Sequence, residues 1–172
     1  KLINVLLMKV PDIPVQVLNK AFEICARGDI RVASTRLHEG GGSLATGGNL
    51  TNNCTIALKM AAAREDEAHL REVLKELENE ILAFTPVGFE AENEGLKADY
   101  SFHQHLALLY SGLYGYGFMN DIGRIIEWLQ GTEYMLSDQC LIEYTNFLLD
   151  GQQWVFRGEN DDLNTVGRGI AQ

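Results

Sequence analysis

Between residues 65 and 83, Leu70, Val73, Leu74, Leu77 and Ile81 recur at steps of three and four, the spacing that places side chains on one face of an α-helix. A helix with one apolar stripe has to bury that stripe against another element, so this segment predicts a packed helical domain. Similar patterns predict helices over 13–26, 52–63, 116–129 and 137–156. The first has Asp12 as a candidate cap, Pro14 in its opening turn and Val15, Val17, Leu18, Phe22 and Ile24 as its apolar set, with Gly28 closing it. The last opens at Ser137 and carries Leu141, Tyr144, Phe147, Leu148 and Val155. The short link between 52–63 and 65–83 implies an antiparallel pair.

No run of alternating β-branched residues competes with this pattern, so the expected class is all-α with long loops. Successive helical hairpins point to a toroid or solenoid. Three passages read as loops: 29–48, with Gly40-Gly41-Gly42 and Thr46-Gly47-Gly48; 84–94, with Pro86 and Gly88; and 157–172, centred on Gly167-Arg168-Gly169. Loops this long inside a compact domain commonly carry function.

The chain has 172 residues, enough for one domain or a piece of a larger one, and 46% hydrophobic content supplies a sizeable core. A net charge of -10 argues against sequence-blind nucleic-acid binding, which depends on cations that neutralise phosphates. No apolar run approaches the roughly 20 residues of a membrane span, so membrane insertion is not expected. The opening Lys1-Leu2-Ile3-Asn4-Val5 has neither an initiator Met nor a signal-peptide layout, which predicts a start inside a longer protein. Cys25, Cys54 and Cys140 are odd in number and widely spaced, as buried thiols are, and signal neither a disulfide framework nor a zinc ribbon.

The densest chemistry lies in Asp99-Tyr100-Ser101-Phe102-His103-Gln104-His105, followed by Tyr114-Gly115. In an unbroken helix His105 and Tyr114 would stand about two and a half turns apart and face opposite sides. Ser111-Gly112, Gly115 and Gly117 break that continuity, so the chain can bend and bring imidazole and phenol together. His103 and His105 lack a third and fourth ligand at suitable spacing, so neither a metal nor another cofactor is expected. Read singly, Asn49 is an ordinary helix start and Arg168 a surface turn.

Taken in order, the motifs resemble the catalytic module of the family eight polysaccharide lyases, the chondroitin AC, hyaluronate and xanthan lyases. Thr46-Gly47-Gly48-Asn49 is similar to the family's Thr-Gly-Ala-Asn, Asp99–His105 to its aromatic segment ending in Gln-His, and Tyr114-Gly115 to the Tyr-Gly that follows. Asn164-Thr165-Val166-Gly167-Arg168-Gly169 matches its Asn-x-x-Gly-Arg-Gly, so the likeness covers roughly residues 45 to 172. It implies an incomplete α/α toroid with β-sandwich domains further along, so that residues 1–172 form part of one catalytic domain. The implied reaction is cleavage of a uronic-acid polysaccharide by β-elimination, leaving a 4,5-unsaturated uronate.

By that resemblance Asn49, His105, Tyr114 and Arg168 are the catalytic set and should converge on one cleft. The proton on C5 of a uronate is weakly acidic because the neighbouring carboxylate is already negative, so the site has to neutralise that group. Asn49 and His105 would hydrogen-bond it, Tyr114 would move the proton, and Arg168 would favour the phenolate and hold the sugar. Phe102 and Tyr110 are candidates to stack on the sugar, and His103, Asn164 and Gln172 are further candidate substrate contacts. Gln172 stands where chondroitin AC lyases carry a second Arg, and Val5-Leu6-Leu7 lies about where they carry paired tryptophans, which leaves the choice of polymer open. The expected partner is an anionic polysaccharide, met outside the cytoplasm or in the periplasm of a bacterium because the polymer cannot cross a membrane. Two other readings stand beside this one. One is a non-catalytic helical module that binds carbohydrate or protein and keeps a relic site, and the other a glycoside hydrolase, which would need two opposed carboxylates.

Overall fold

A computed structural model describes residues 4, 13–30, 45–84, 94–105, 108–167 and 169. They form helices α1 (Val15–Cys25), α2 (Gly47–Arg64), α3 (Glu67–Leu82), α4 (Leu113–Leu129) and α5 (Asp138–Asn146). Short strands β1 (Gly95–Leu96), β2 (Phe102–Gln104) and β3 (Leu108–Leu109) make one antiparallel sheet, with β2 central, and β4 (Phe156–Arg157) and β5 (Asn160–Asp161) make a hairpin. The class is all-α, with β1–β3 in the connection between α3 and α4 and the β4–β5 hairpin after α5. The chain divides into two compact units, Lys1–Ala45 with Asn52–Glu76, and Thr46–Thr51 with Leu77–Gln172.

In the first unit α1 buries a different face from the one its apolar residues suggested. Val15, Val17 and Ile24 are exposed, while Leu18, Ala21, Phe22 and Cys25, spaced three, four and seven apart, gather with Ile56 and Met60. Each fully buried large apolar side chain contributes about 1.5–3 kcal/mol. The Arg64 guanidinium lies 4.8 Å from the Phe22 ring centroid, a cation held over an aromatic face. Pro14 stands at the N-cap and not in the first turn, and Asp12 lies outside the described residues. His69 is buried on α3, its Nε2 2.7 Å from the Asp29 carboxylate and its Nδ1 3.4 Å from that of Glu72. Elsewhere on α3 the exposed pair Arg71–Glu67 lies at 2.8 Å.

In the second unit Leu77 and Ile81 of α3 are fully buried, as are Phe118, Ile122 and Ile125 of α4 at the same three-and-four spacing. Phe102 of β2 packs against Phe118 and Phe147 at ring centroid distances of 5.0 and 6.4 Å. The segment expected as one helix over 137–156 is α5 followed by a π-helical turn, Phe147–Gly151, a 3-10 turn, Gln152–Trp154, and then β4. Its break has a local cause. A Cβ at Gly151 would lie 2.2 Å from the Tyr100 carbonyl oxygen, so the backbone leaves regular helix where another backbone presses on it. Ser137 occupies the N-cap of α5 as expected, although its side chain makes no capping bond. Cys140 and Cys54 are buried, and Cys25 is half-buried. Among the described residues no helix is long and apolar enough to cross a membrane.

Candidate active site

The central strand β2 delivers Phe102, His103 and Gln104 in succession, and the chain then turns sharply at His105. His105 has φ 54°, the left-handed region that costs a non-glycine residue free energy and persists only where its surroundings hold it. What holds it is Glu94, whose Oε1 accepts the His105 N–H at 2.8 Å. The Ser111-Gly112 turn then starts α4 at Leu113, so Tyr114 sits in the helix's first turn and not in a loop. Gly115 and Gly117 lie inside this helix; the bend expected of them occurs before it, in β3 and the turn.

The bend unites the two rings. His105 and Tyr114 meet edge to face, with centroids 5.2 Å apart and planes at 86°. Tyr110 completes the cluster, 5.7 Å from His105 and 5.0 Å from Tyr114. Among the described residues, His105 Nε2 is buried without a hydrogen-bond partner.

Thr46-Gly47-Gly48-Asn49 meets the same cluster. These residues were expected in a loop ahead of a helix over 52–63, yet Gly47, Gly48 and Asn49 form the first turn of α2. Two side chains far along the sequence cap the leading N–H groups of this turn. Glu80 Oε1 accepts from Gly47 at 2.6 Å, and Gln104 Oε1 from Gly48 at 3.1 Å. Helix N-termini leave such donors unsatisfied, and a carboxylate there also complements the helix dipole. Gly48 touches Tyr114: a Cβ at 48 would lie 3.2 Å from Tyr114 Cδ1. Asn49, next in sequence, is exposed.

Glu94 and Gln104 were not among the sequence-derived site residues, and neither was Glu80. Glu94 Oε2 accepts from Gln104 Nε2, and from Thr46 Oγ1 at 3.4 Å. Glu80 is buried, and its carboxyl is pushed up to about 7, chiefly by burial, against the Gly47 N–H, which lowers it, and with the charge of Glu94, which raises it further. One signal of Glu80 was available in the sequence, because it falls on the apolar stripe of α3, three residues after Leu77 and seven after Val73.

The candidate substrate contacts divide. Phe102 is fully buried in the aromatic core, which removes the ring face that a sugar would need, and Tyr110 is 1% exposed, with its ring under Gly167. Both belong to the framework of the site, because the ring cluster and core close over them. His103 is buried on β2, and Asn164 is exposed with its amide bound to Asp162 at 3.0 Å. Arg168 and Gln172 lie outside the described residues, while Gly167, with φ 52°, fits against Tyr110 where a Cβ would be 2.3 Å from Cζ. Among the described residues no group of three or more His, Cys, Asp or Glu is arranged to hold a metal ion.

An imidazole, a phenol and the turn that bears Asn49 therefore share one side-chain cluster. The chain belongs to polysaccharide lyase family 8: the model of that family's N-terminal α-helical domain matches residues 27–172. Chondroitinase-AC of Pedobacter heparinus is 31% identical over 137 residues, covering 80% of this chain and 19% of that protein. A chondroitinase AC lyase structure, studied as enzyme–oligosaccharide complexes, is 28% identical with a TM-score of 0.70, covering 90% of this chain and 20% of its own. The fold is also shared with Paenibacillus xanthan lyase, at 21% identity and a TM-score of 0.56, over 70% of this chain and 11% of that one. The chain thus spans about a fifth of the length of the chondroitinases it matches.

Proposed function

We propose that this chain is the helical part of a secreted or periplasmic bacterial lyase that cleaves a chondroitin-type uronic-acid polysaccharide by β-elimination. The observation that carries the reading is the edge-on pair of His105 and Tyr114, 5.2 Å between ring centroids, with Gly48 and hence the Asn49 turn against the phenol ring. In the proposed reaction Asn49 and His105 donate to the uronate carboxylate, which makes the C5 proton easier to remove. Tyr114, ionised, takes that proton; the electron pair forms the C4–C5 double bond, and the C4–O bond breaks. The phenol then returns a proton to the leaving oxygen, so no water is consumed. Arg168, between Gly167 and Gly169, is assigned to the phenolate and the sugar. Toroidal closure and β-sandwich domains in the longer protein are part of the same proposal.

The chemistry can be tested in the full-length protein with chondroitin sulfate. Elimination creates a conjugated double bond that absorbs in the ultraviolet, and Tyr114→Phe should lower its rate of formation ~100 to 10,000-fold while substrate binding persists. Reducing ends that accumulate without absorbance would indicate hydrolysis. A binding module with a relic site is the second reading, favoured by Gln172 in place of the family's second Arg. Binding of chondroitin without ultraviolet product, unchanged by Tyr114→Phe, would select it.

A further inference from the structure

We propose that Glu80, Glu94 and Gln104 are positioning residues that hold the Asn49 turn and the His105 imidazole in fixed register. The catalytic consequence of this arrangement rests on the lyase reading, and its geometry on the hydrogen bonds alone. The bonds form a continuous path. From Gly48 N–H the path runs to Gln104 Oε1 at 3.1 Å, from Gln104 Nε2 to Glu94 Oε2, and from Glu94 Oε1 to the His105 N–H at 2.8 Å. Glu80 anchors the other end by accepting the Gly47 N–H at 2.6 Å. The two candidate donors to one carboxylate are thereby tied to each other, although they lie far apart in sequence.

The packing of this path leaves no slack. Gln104 is fully buried and Glu80 is 8% exposed. A buried carboxylate is costly unless its acceptors are used, and here Glu80 Oε1 and Glu94 Oε1 each accept a backbone N–H of the site, while Glu94 Oε2 accepts from the Gln104 and Thr46 side chains. Glycines close the cradle. A Cβ at Gly47 would lie 2.7 Å from Gln104 Oε1, and one at Gly95 2.6 Å from Glu80 Oε1, and both glycines have positive φ, 58° and 98°. The left-handed backbone of His105 is stabilised at the one N–H that Glu94 holds. None of the three side chains is assigned a proton to move or a substrate atom to touch; they act through Gly47, Gly48 and His105.

The test combines amide hydrogen exchange without substrate and kinetics on chondroitin sulfate, both with the full-length protein. In Glu94→Ala the His105 and Gly48 amides should exchange about tenfold or more faster, with α4 and α5 keeping their protection. The same variant should lose about 100-fold in kcat with KM within about threefold, since misplacement by an ångström has that effect. Gln104→Met, which keeps length and removes the amide, should accelerate Gly48 and leave His105 protected. Glu80→Gln retains an acceptor for Gly47 and should keep kcat within about threefold, whereas Glu80→Ala should not. Unchanged exchange at Gly47, Gly48 and His105 in the alanine variants would overturn the inference, as would loss of protection spread evenly through α4 and α5. Faster exchange with unchanged kcat in an active enzyme would overturn it too. A wild-type protein that makes no ultraviolet-absorbing product would sink the lyase reading instead, and exchange would still decide whether the three residues fix the register.

Discussion

Around Ala21 and Met60 the chain is gathered by apolar side chains, Leu18, Phe22 and Ile56, contributed by helices whose spacing brings them to one face. Around β2 the defining contacts are polar and reach across long stretches of sequence: Gly47 to Glu80, Gly48 to Gln104, His105 to Glu94, and the Phe102 N–H to Ser111 Oγ at 2.9 Å. The first kind of order tolerates substitutions that conserve volume, because burial has no direction. The second kind specifies atoms, and it fixes the backbone of His105 and of the turn that bears Asn49. Within the second region the two kinds of order join at Phe102, which is both a residue of the aromatic core and the start of the strand that leads to His105.

The largest expected effect breaks that join. Phe102→Ala should cost about 3–5 kcal/mol in chemical denaturation, and it should do so even though every hydrogen bond of the site is retained on paper. A cost below about 1 kcal/mol would mean that the polar network holds β2 by itself.

Next comes the pH dependence of Glu80. Its carboxyl, usually near 4.5, is raised to about 7 in the folded chain, so the folded state binds the proton more tightly than the unfolded one. The resulting stability is fully present below about 4.5 and is lost as pH rises through about 7, a span of about 3 kcal/mol. The charge facing it is that of Glu94, which acts in the same direction. Stability measured as wild type minus Glu80→Gln isolates the effect from other carboxylates. It should fall between pH 4.5 and 7 and then level off, and a flat difference would remove Glu80 from the account.

Two glycines sharpen the comparison at the smaller end. Gly151→Ala drives a methyl against the Tyr100 carbonyl and should cost about 1–3 kcal/mol, since backbone yields poorly. Among the described residues Gly28→Ala meets the Ile56 side chain, most closely its Cδ1 at 2.8 Å, which can rotate away, and the alanine also restricts the unfolded chain. Its net effect should stay within about 1 kcal/mol. Thermal melts of both variants would show whether the difference between a side-chain neighbour and a backbone neighbour is real.

What the sequence revealed follows the same division. The stripe of α3 was legible and correct, with Val73, Leu77 and Ile81 fully buried, because amphipathic spacing is written locally. The approach of His105 to Tyr114 was legible as well, since Ser111-Gly112 marks the bend. The start of α2 was not. Gly47-Gly48 reads as a helix breaker, and the side chains that cap a helix beginning there, Glu80 and Gln104, lie 33 and 56 residues away. Phe102 and Tyr110 read as sugar platforms because aromatic residues suit both a core and a binding face, and nothing local says which. Arg168 and Gln172 lie outside the described residues.

The capping of α2 by remote side chains also has a consequence in time. Helical segments close local contacts quickly, whereas a bond between positions 48 and 104 has to wait until a long intervening chain has been drawn together. The opening turn of α2 is therefore expected to fray until α3 and β2 are both in place, because they carry the side chains that cap Gly47 and Gly48. The capped turn is thus expected to order after the helical segments themselves.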